Sequence, residues 1–71
     1  MNKINPKKLL NSKWTAVKPK NKEKHFIVSE VECDEENTVV SCALQAVMTK
    51  RSISINWTDL KDDNSWFYGW K

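Results

Sequence analysis

Four tryptophans, Trp14, Trp57, Trp66 and Trp70, stand in a chain of 71 residues that holds one glycine and two prolines. A chain this short folds as one domain around one core, and residues 1–71 show no linker, repeat or low-complexity tract that would divide it. Such a core rarely supplies more than roughly 3–5 kcal/mol of net stability. One large aromatic covers about 150–250 Å² when buried. At about 25 cal/mol per Å², that is roughly 4–6 kcal/mol of gross stabilisation per ring. Exposing three of the four tryptophans would forfeit more than so small a fold has to lose. Most of them are expected to be at least partly core, with one or two left to meet a partner.

The residue pattern reads as mainly β. Asn5-Pro6 looks like a cap followed by a first helical position, with room for one or two turns before Asn11-Ser12. Ser12–Lys18 alternates as a strand with Trp14 and Ala16 on one face, and Pro19–Lys22 is a loop. His25–Cys33 and Val39–Met48 are rich in β-branched residues and flank a turn at Asp34–Asn37. Placing Asp34 opposite Asn37 sets Val31 against Val40, Ser29 against Cys42, Ile27 against Leu44 and His25 against Ala46. A second turn at Lys50-Arg51 sets Met48 against Ile53, Ala46 against Ile55 and Leu44 against Trp57. Both registers bury the same face, that of Ile27, Val31, Leu44, Ile55 and Trp57. Neither turn has the glycine that a two-residue hairpin prefers, so longer turns of the same parity are expected. Thr58 caps a short helical turn, and Ser65–Trp70 closes the chain as a strand with Trp66, Tyr68 and Trp70 on one side. The expected fold is a small antiparallel meander of about five short strands, a bent sheet or open barrel, with a short N-terminal helical turn.

Pro6-Lys7-Lys8-Leu9-Leu10, Ser12-Lys13-Trp14-Thr15-Ala16-Val17, Glu23-Lys24-His25-Phe26 and the closing Trp57, Leu60, Trp66 and Gly69-Trp70 form an ordered set of blocks. Together they resemble the uncharacterised family of small tryptophan-rich bacterial proteins over nearly the whole chain. The resemblance implies a bacterial, stand-alone, single-domain protein. It carries no activity with it and gives no site role to any residue.

Charge is divided along the chain. Residues 1–24 carry eight lysines and one acid, a net +7, whereas residues 25–71 carry a net −4. A basic front third suits a polyanionic partner. Met1–Asn5 runs into charged residues rather than the apolar stretch of a signal peptide, and no apolar run reaches the ~18 residues of a membrane span. With two cysteines, Cys33 and Cys42, the expectation is a cytoplasmic protein with free thiols and no membrane partner.

The inventory for catalysis is thin. His25 is the only histidine, and with Cys42 facing Ser29 the two lie roughly 13 Å apart at ~3.3 Å per strand residue. That is too far for a nucleophile–base pair, and Cys33–Cys42 is equally far from disulfide geometry. The ligand set for zinc is incomplete, the acidic turns at Asp34–Glu36 and Asp59–Asp63 read as solvated, and Gly69 alone cannot build a phosphate loop. No catalytic residue, metal or cofactor is expected.

What remains is cationic side chains near aromatics. Lys13, Lys18, Lys20, Lys22 and Lys24 flank Trp14, and single-stranded nucleic-acid binders combine such charge with rings on which bases stack. Eleven lysines against one arginine point to backbone contact rather than bidentate base reading. The chain is therefore read as a monomeric, non-enzymatic binding module with Trp14 as the stacking ring. The alternative is a protein-interaction module that uses the Trp66, Tyr68 and Trp70 stripe, since aromatics are enriched at binding hot spots.

Overall fold

A computed structural model describes residues 2–20 and 22–71, with Lys20 described by its backbone; Met1 and Asn21, at the expected N-terminal start and in the expected Pro19–Lys22 loop, lie outside the described residues. Five strands are present: β1 (Lys13–Lys20), β2 (Glu23–Cys33), β3 (Val39–Ala46), β4 (Ser52–Ile55) and β5 (Trp66–Tyr68). They form one antiparallel sheet in the order β4-β3-β2-β1-β5. The sheet is open rather than a barrel, because β4 and β5 sit at opposite edges. The mainly β class and the five antiparallel strands follow the alternation read from the sequence; β1–β4 run as a meander, whereas β5 crosses back to pair with β1.

The N-terminal turn also forms as expected. Asn5 Oδ1 accepts from Lys7 N at 3.0 Å, and Pro6 opens a 3-10 turn over Pro6–Lys8. The second 3-10 turn, Trp57–Lys61, is capped by Asn56 rather than Thr58: Asn56 Oδ1 accepts from both the backbone N–H and the hydroxyl of Thr58. Asn2 staples this turn to the sheet, with its side-chain amide donating to Leu60 O and Trp66 O.

The first hairpin departs from the expected register. Its loop spans three residues between Asp34 and Thr38, with Asn37 left-handed at φ 62° and the Asp34 carboxylate accepting from Glu36 N and Thr38 N. Without a glycine, the chain takes the three-residue turn with a left-handed Asn instead of the two-residue one. One extra loop residue alone would flip every side chain of the partner strand, but an irregularity at Val40 on β3 offsets it, and Val31 keeps the core side opposite Cys42. A bulge at Ser29 then reverses the parity: Val28 opposes Leu44 and Phe26 opposes Ala46, so Phe26 and Val28 are buried where Ile27 was expected, and Ile27 lies on the other face. The irregularity at Val40 also buries Val39 and turns Val40 outward.

The β3–β4 hairpin keeps the expected parity but slides. Leu44 pairs with Ile53 rather than Trp57, and Cys42 pairs with Ile55. Residues 47–50 form the connection, closed by Lys50 at φ 62°, which leaves Met48 exposed in the loop. The last strand is shorter than expected. After Tyr68 the chain bends at Gly69, whose φ of +83° is the left-handed region that suits a residue without Cβ, and Trp70 leaves the stripe for the opposite face.

Trp14 sits at the centre, wholly buried. It shares its core with Leu9 and Leu60 from the two 3-10 turns and with Phe26, Val28, Cys42, Leu44 and Ala46 from the strands. Its indole N–H donates to Ser12 Oγ at 2.9 Å, and Tyr68 meets the ring edge-on at a centroid distance of 5.1 Å. Truncating a buried tryptophan to alanine costs about 3–5 kcal/mol, which is the whole net stability expected at this size. Trp14→Ala should therefore be largely unfolded at room temperature by near-ultraviolet circular dichroism; a melting curve within a few degrees of the wild type would contradict this packing.

Candidate functional site

Strand alternation places the neighbours of Trp14 on the opposite face of the sheet. Thr15 is buried there by the chain's own C-terminus: its hydroxyl donates to Gly69 O at 2.7 Å and accepts from Lys71 N at 2.9 Å. His25, paired with Thr15 across β1–β2, donates from Nε2 to Lys71 O at 2.9 Å. These bonds lay the final residues across the sheet, and Trp70 lands over Lys13 and His25.

Trp70 is held on three sides yet remains 45% exposed. Its Nε1–H donates to Phe26 O at 3.0 Å, the Lys13 ammonium lies 4.8 Å from the ring centroid, and His25 meets it at 6.1 Å in an inclined arrangement. Phe67, opposite Thr15 in the β1–β5 ladder, is a second exposed ring on this face. The result is a fixed aromatic surface with a lysine directly upon it.

The predicted site residues are distributed differently from the expectation. Lys13 belongs to this surface. Trp14 does not: at 0% exposure its ring has no free face for a base, because adjacent strand residues point to opposite sides and Lys13 took the outer one. Lys22 and Lys24 are exposed around the β1–β2 hairpin, Lys18 is exposed near its end, and the side chain of Lys20 lies outside the described features. The Trp66, Tyr68 and Trp70 stripe is split. Trp66 packs edge-on against Phe26 at 5.3 Å and Tyr68 against Trp14, both on the core side, whereas Trp70 is on the other. Thr15 and Phe67 were not among the predicted site residues, and His25 was weighed only as a catalytic base and set aside. The one available signal was Gly69, a lone glycine immediately before the last tryptophan.

A groove of about 490 Å³ opens on the core side, where the 3-10 turns do not cover the sheet; Phe26, Ile53 and Trp66 form its apolar wall and Lys18, Glu23 and Arg51 its polar end. Both cysteines are free thiols, and Cys42 faces Val31 rather than Ser29; burial pushes its thiol up, away from the reactive thiolate. Among the described residues no group of three His, Cys, Asp or Glu side chains could hold a metal ion.

With the four tryptophans placed, comparison with known families is decisive for kinship. The model of a tryptophan-rich protein family, DUF2389, matches residues 12–71. The chain belongs to this family. The matched span of DUF2389 contains the whole sheet, all four tryptophans and the Gly69 bend, and leaves out the Pro6–Lys8 turn. No curated protein and no solved structure matches the chain.

Glu23 in the groove is a buried carboxylate, 4% exposed, and it is fully engaged. Thr49 Oγ1 donates to Oε2 at 2.6 Å and Arg51 Nη2 to Oε1 at 2.5 Å, tying β2 to the β3–β4 loop. The Thr49 hydrogen bond holds the carboxyl below its ordinary 4.5, against the opposing effect of burial, and Arg51 adds a second hydrogen bond and its charge. A carboxyl depressed in the folded state stabilises the fold above its unfolded pKa, and that contribution is lost as pH falls through the folded value. Thermal melts of the wild type should therefore drop between neutral pH and pH values below about 4, while Glu23→Gln should melt lower at pH 7 and lose less on acidification. Parallel curves for the two proteins would show that Glu23 does not titrate in this way.

Proposed function

We propose that this chain is a small non-enzymatic binding module that takes single-stranded nucleic acid on the face carrying Trp70. The observation that carries the reading is the geometry of that ring: exposed, fixed through Nε1 to Phe26 O, and accompanied by the Lys13 ammonium at 4.8 Å. A ring already immobilised loses little further freedom when a base stacks on it. Stacking on such a side chain is worth about 1–3 kcal/mol per base. Phe67 offers a second ring on the same face, and Lys13 is displaced from the indole to a flanking phosphate. The net +7 of residues 1–24 supplies the wider attraction.

Recognition in this reading is backbone-directed. Arg51 is the only arginine and is engaged with Glu23 on the other side of the sheet, so no guanidinium is free on the Trp70 face to read base edges. A bacterial cytoplasm is the proposed setting, supported by the two free thiols and by the lack, among the described residues, of a helix long and apolar enough to cross a membrane. The competing protein-partner reading asks one surface to contain Trp66, Tyr68 and Trp70, and a partner would have to reach both faces of the sheet to touch all three.

The test is a titration with oligothymidylate. Tryptophan fluorescence should be quenched at low salt and recover as salt rises, with affinity falling at a slope of roughly −0.7 per neutralised phosphate. Trp70→Ala should weaken binding by about tenfold or more, and Lys13→Glu should weaken it further while leaving the melting temperature within a few degrees. Equal affinity of the wild type and Trp70→Ala, or no binding at low salt, would overturn the reading.

A further inference from the structure

The two edges of the sheet are treated differently. In an antiparallel ladder the N–H and C=O of alternate residues point to the neighbouring strand, and those between them point away. On β5 the bonds Val17 N to Ser65 O and Gly69 N to Lys13 O show which residues face β1, so Trp66 faces outward. Its outward groups are both taken: Trp66 N donates to Asp62 O at 2.9 Å, and Trp66 O accepts from the Asn2 side chain at 2.7 Å. At Trp66 that edge is closed by the chain itself.

On β4 the bond Ala46 N to Arg51 O places Arg51, Ile53 and Ile55 toward β3. The backbone groups of Ser52 and Ser54 therefore point away from the sheet. Among the described residues they meet no hydrogen-bond partner. Of the usual guards against pairing β4 has only its shortness, four residues: Ser52–Ile55 has no charge, no proline and no bulge. Ile53 and Ile55 stand half-exposed on its core side.

We propose that β4 pairs antiparallel with β4 of a second copy of this chain, about a two-fold axis at Ser54, to give one continuous sheet across the dimer. The Ser-Ile-Ser-Ile sequence is complementary to itself in that register. Ser54 meets Ser54 of the second copy and exchanges both outward backbone bonds. Ile53 lies beside Ile55 of the second copy, so the apolar core side continues across the junction. Ser52 falls beside Asn56 of the second copy, and Asn56 is already extended at φ −81° and ψ 123°. Antiparallel pairing also brings the basic Lys50-Arg51 end of each strand toward the Asp59 end of the other, which is favourable by charge. A second copy is the occupant because this register places serine on serine and isoleucine on isoleucine; an unrelated strand has no such reason to fit.

The interface is independent of the Trp70 face, and oligonucleotide binding does not report on it. Sedimentation equilibrium of the full chain should give a mass near twice 8.3 kDa with a concentration-dependent approach to it. Ser54→Pro removes an N–H that β3 does not use and should give a monomer with an unchanged far-ultraviolet spectrum. Ser54→Lys and Ser54→Asp set like charges across the axis, so each alone should be monomeric and an equimolar mixture should regain the dimer. The Lys and Asp pair also decides the matter if Ser54→Pro does not fold. A wild-type monomer at all accessible concentrations, a dimer that survives Ser54→Pro, or two monomeric charge variants that do not associate on mixing would each overturn the proposal.

Discussion

Trp14 must be buried without leaving its indole nitrogen unpaired, and much of the architecture answers that requirement. The ring is the largest side chain in the core and lies on β1, between β2 and β5. An orphaned indole N–H there would cost about 1–3 kcal/mol. Ser12 Oγ accepts it and itself donates to Leu9 O, so the N-terminal turn is drawn over the ring together with its buried Leu9. Tyr68 closes the edge from β5, and Asn2 binds the second 3-10 turn, with Leu60, to the same strand. The two ends of the chain are thus organised about one side chain.

The outer face follows from the inner one. Because Trp14 points inward, Lys13 and Thr15 must point outward, and Thr15 becomes the anchor for the C-terminal residues. Gly69 supplies the left-handed bend that lets Trp70 cross to that side. A single strand parity therefore decides which tryptophan is structural and which is available to a ligand. That division fits the stability argument: a domain of this size can leave one ring substantially exposed when the others stay wholly or partly covered.

Much of the fold was legible in the chain because alternation is a strong local signal. The face of β1, that of β3 from Cys42 onward, the Asn5-Pro6 start and the β1–β4 meander needed only neighbouring residues. The orientation of the first half of β2 did not yield to the same reasoning, since it depends on where the β2–β3 ladder takes up extra residues. The extra residue of the Asp34–Thr38 loop is offset at Val40, and the bulge at Ser29 then reverses the parity of Val28 and Phe26; none of these is marked by glycine. In the site, Lys13 could be selected from its position among lysines. Trp14 and Trp70 could not be told apart, because burial is decided by strand partners 54 residues away, as the Thr15–Gly69 bond shows. Closure of the β5 edge at Trp66 depends on Asn2, 64 residues away, and no local pattern announces it.

The most direct measurement labels the protein with 5-fluorotryptophan and reads the four ¹⁹F resonances in H₂O and D₂O, each assigned by single Trp→Phe replacement. Trp14 should show no solvent isotope shift and Trp70 the largest, with Trp57 and Trp66 between them. A shift at Trp14 as large as that at Trp70 would contradict the account, because the ring assigned to the core would be standing in water.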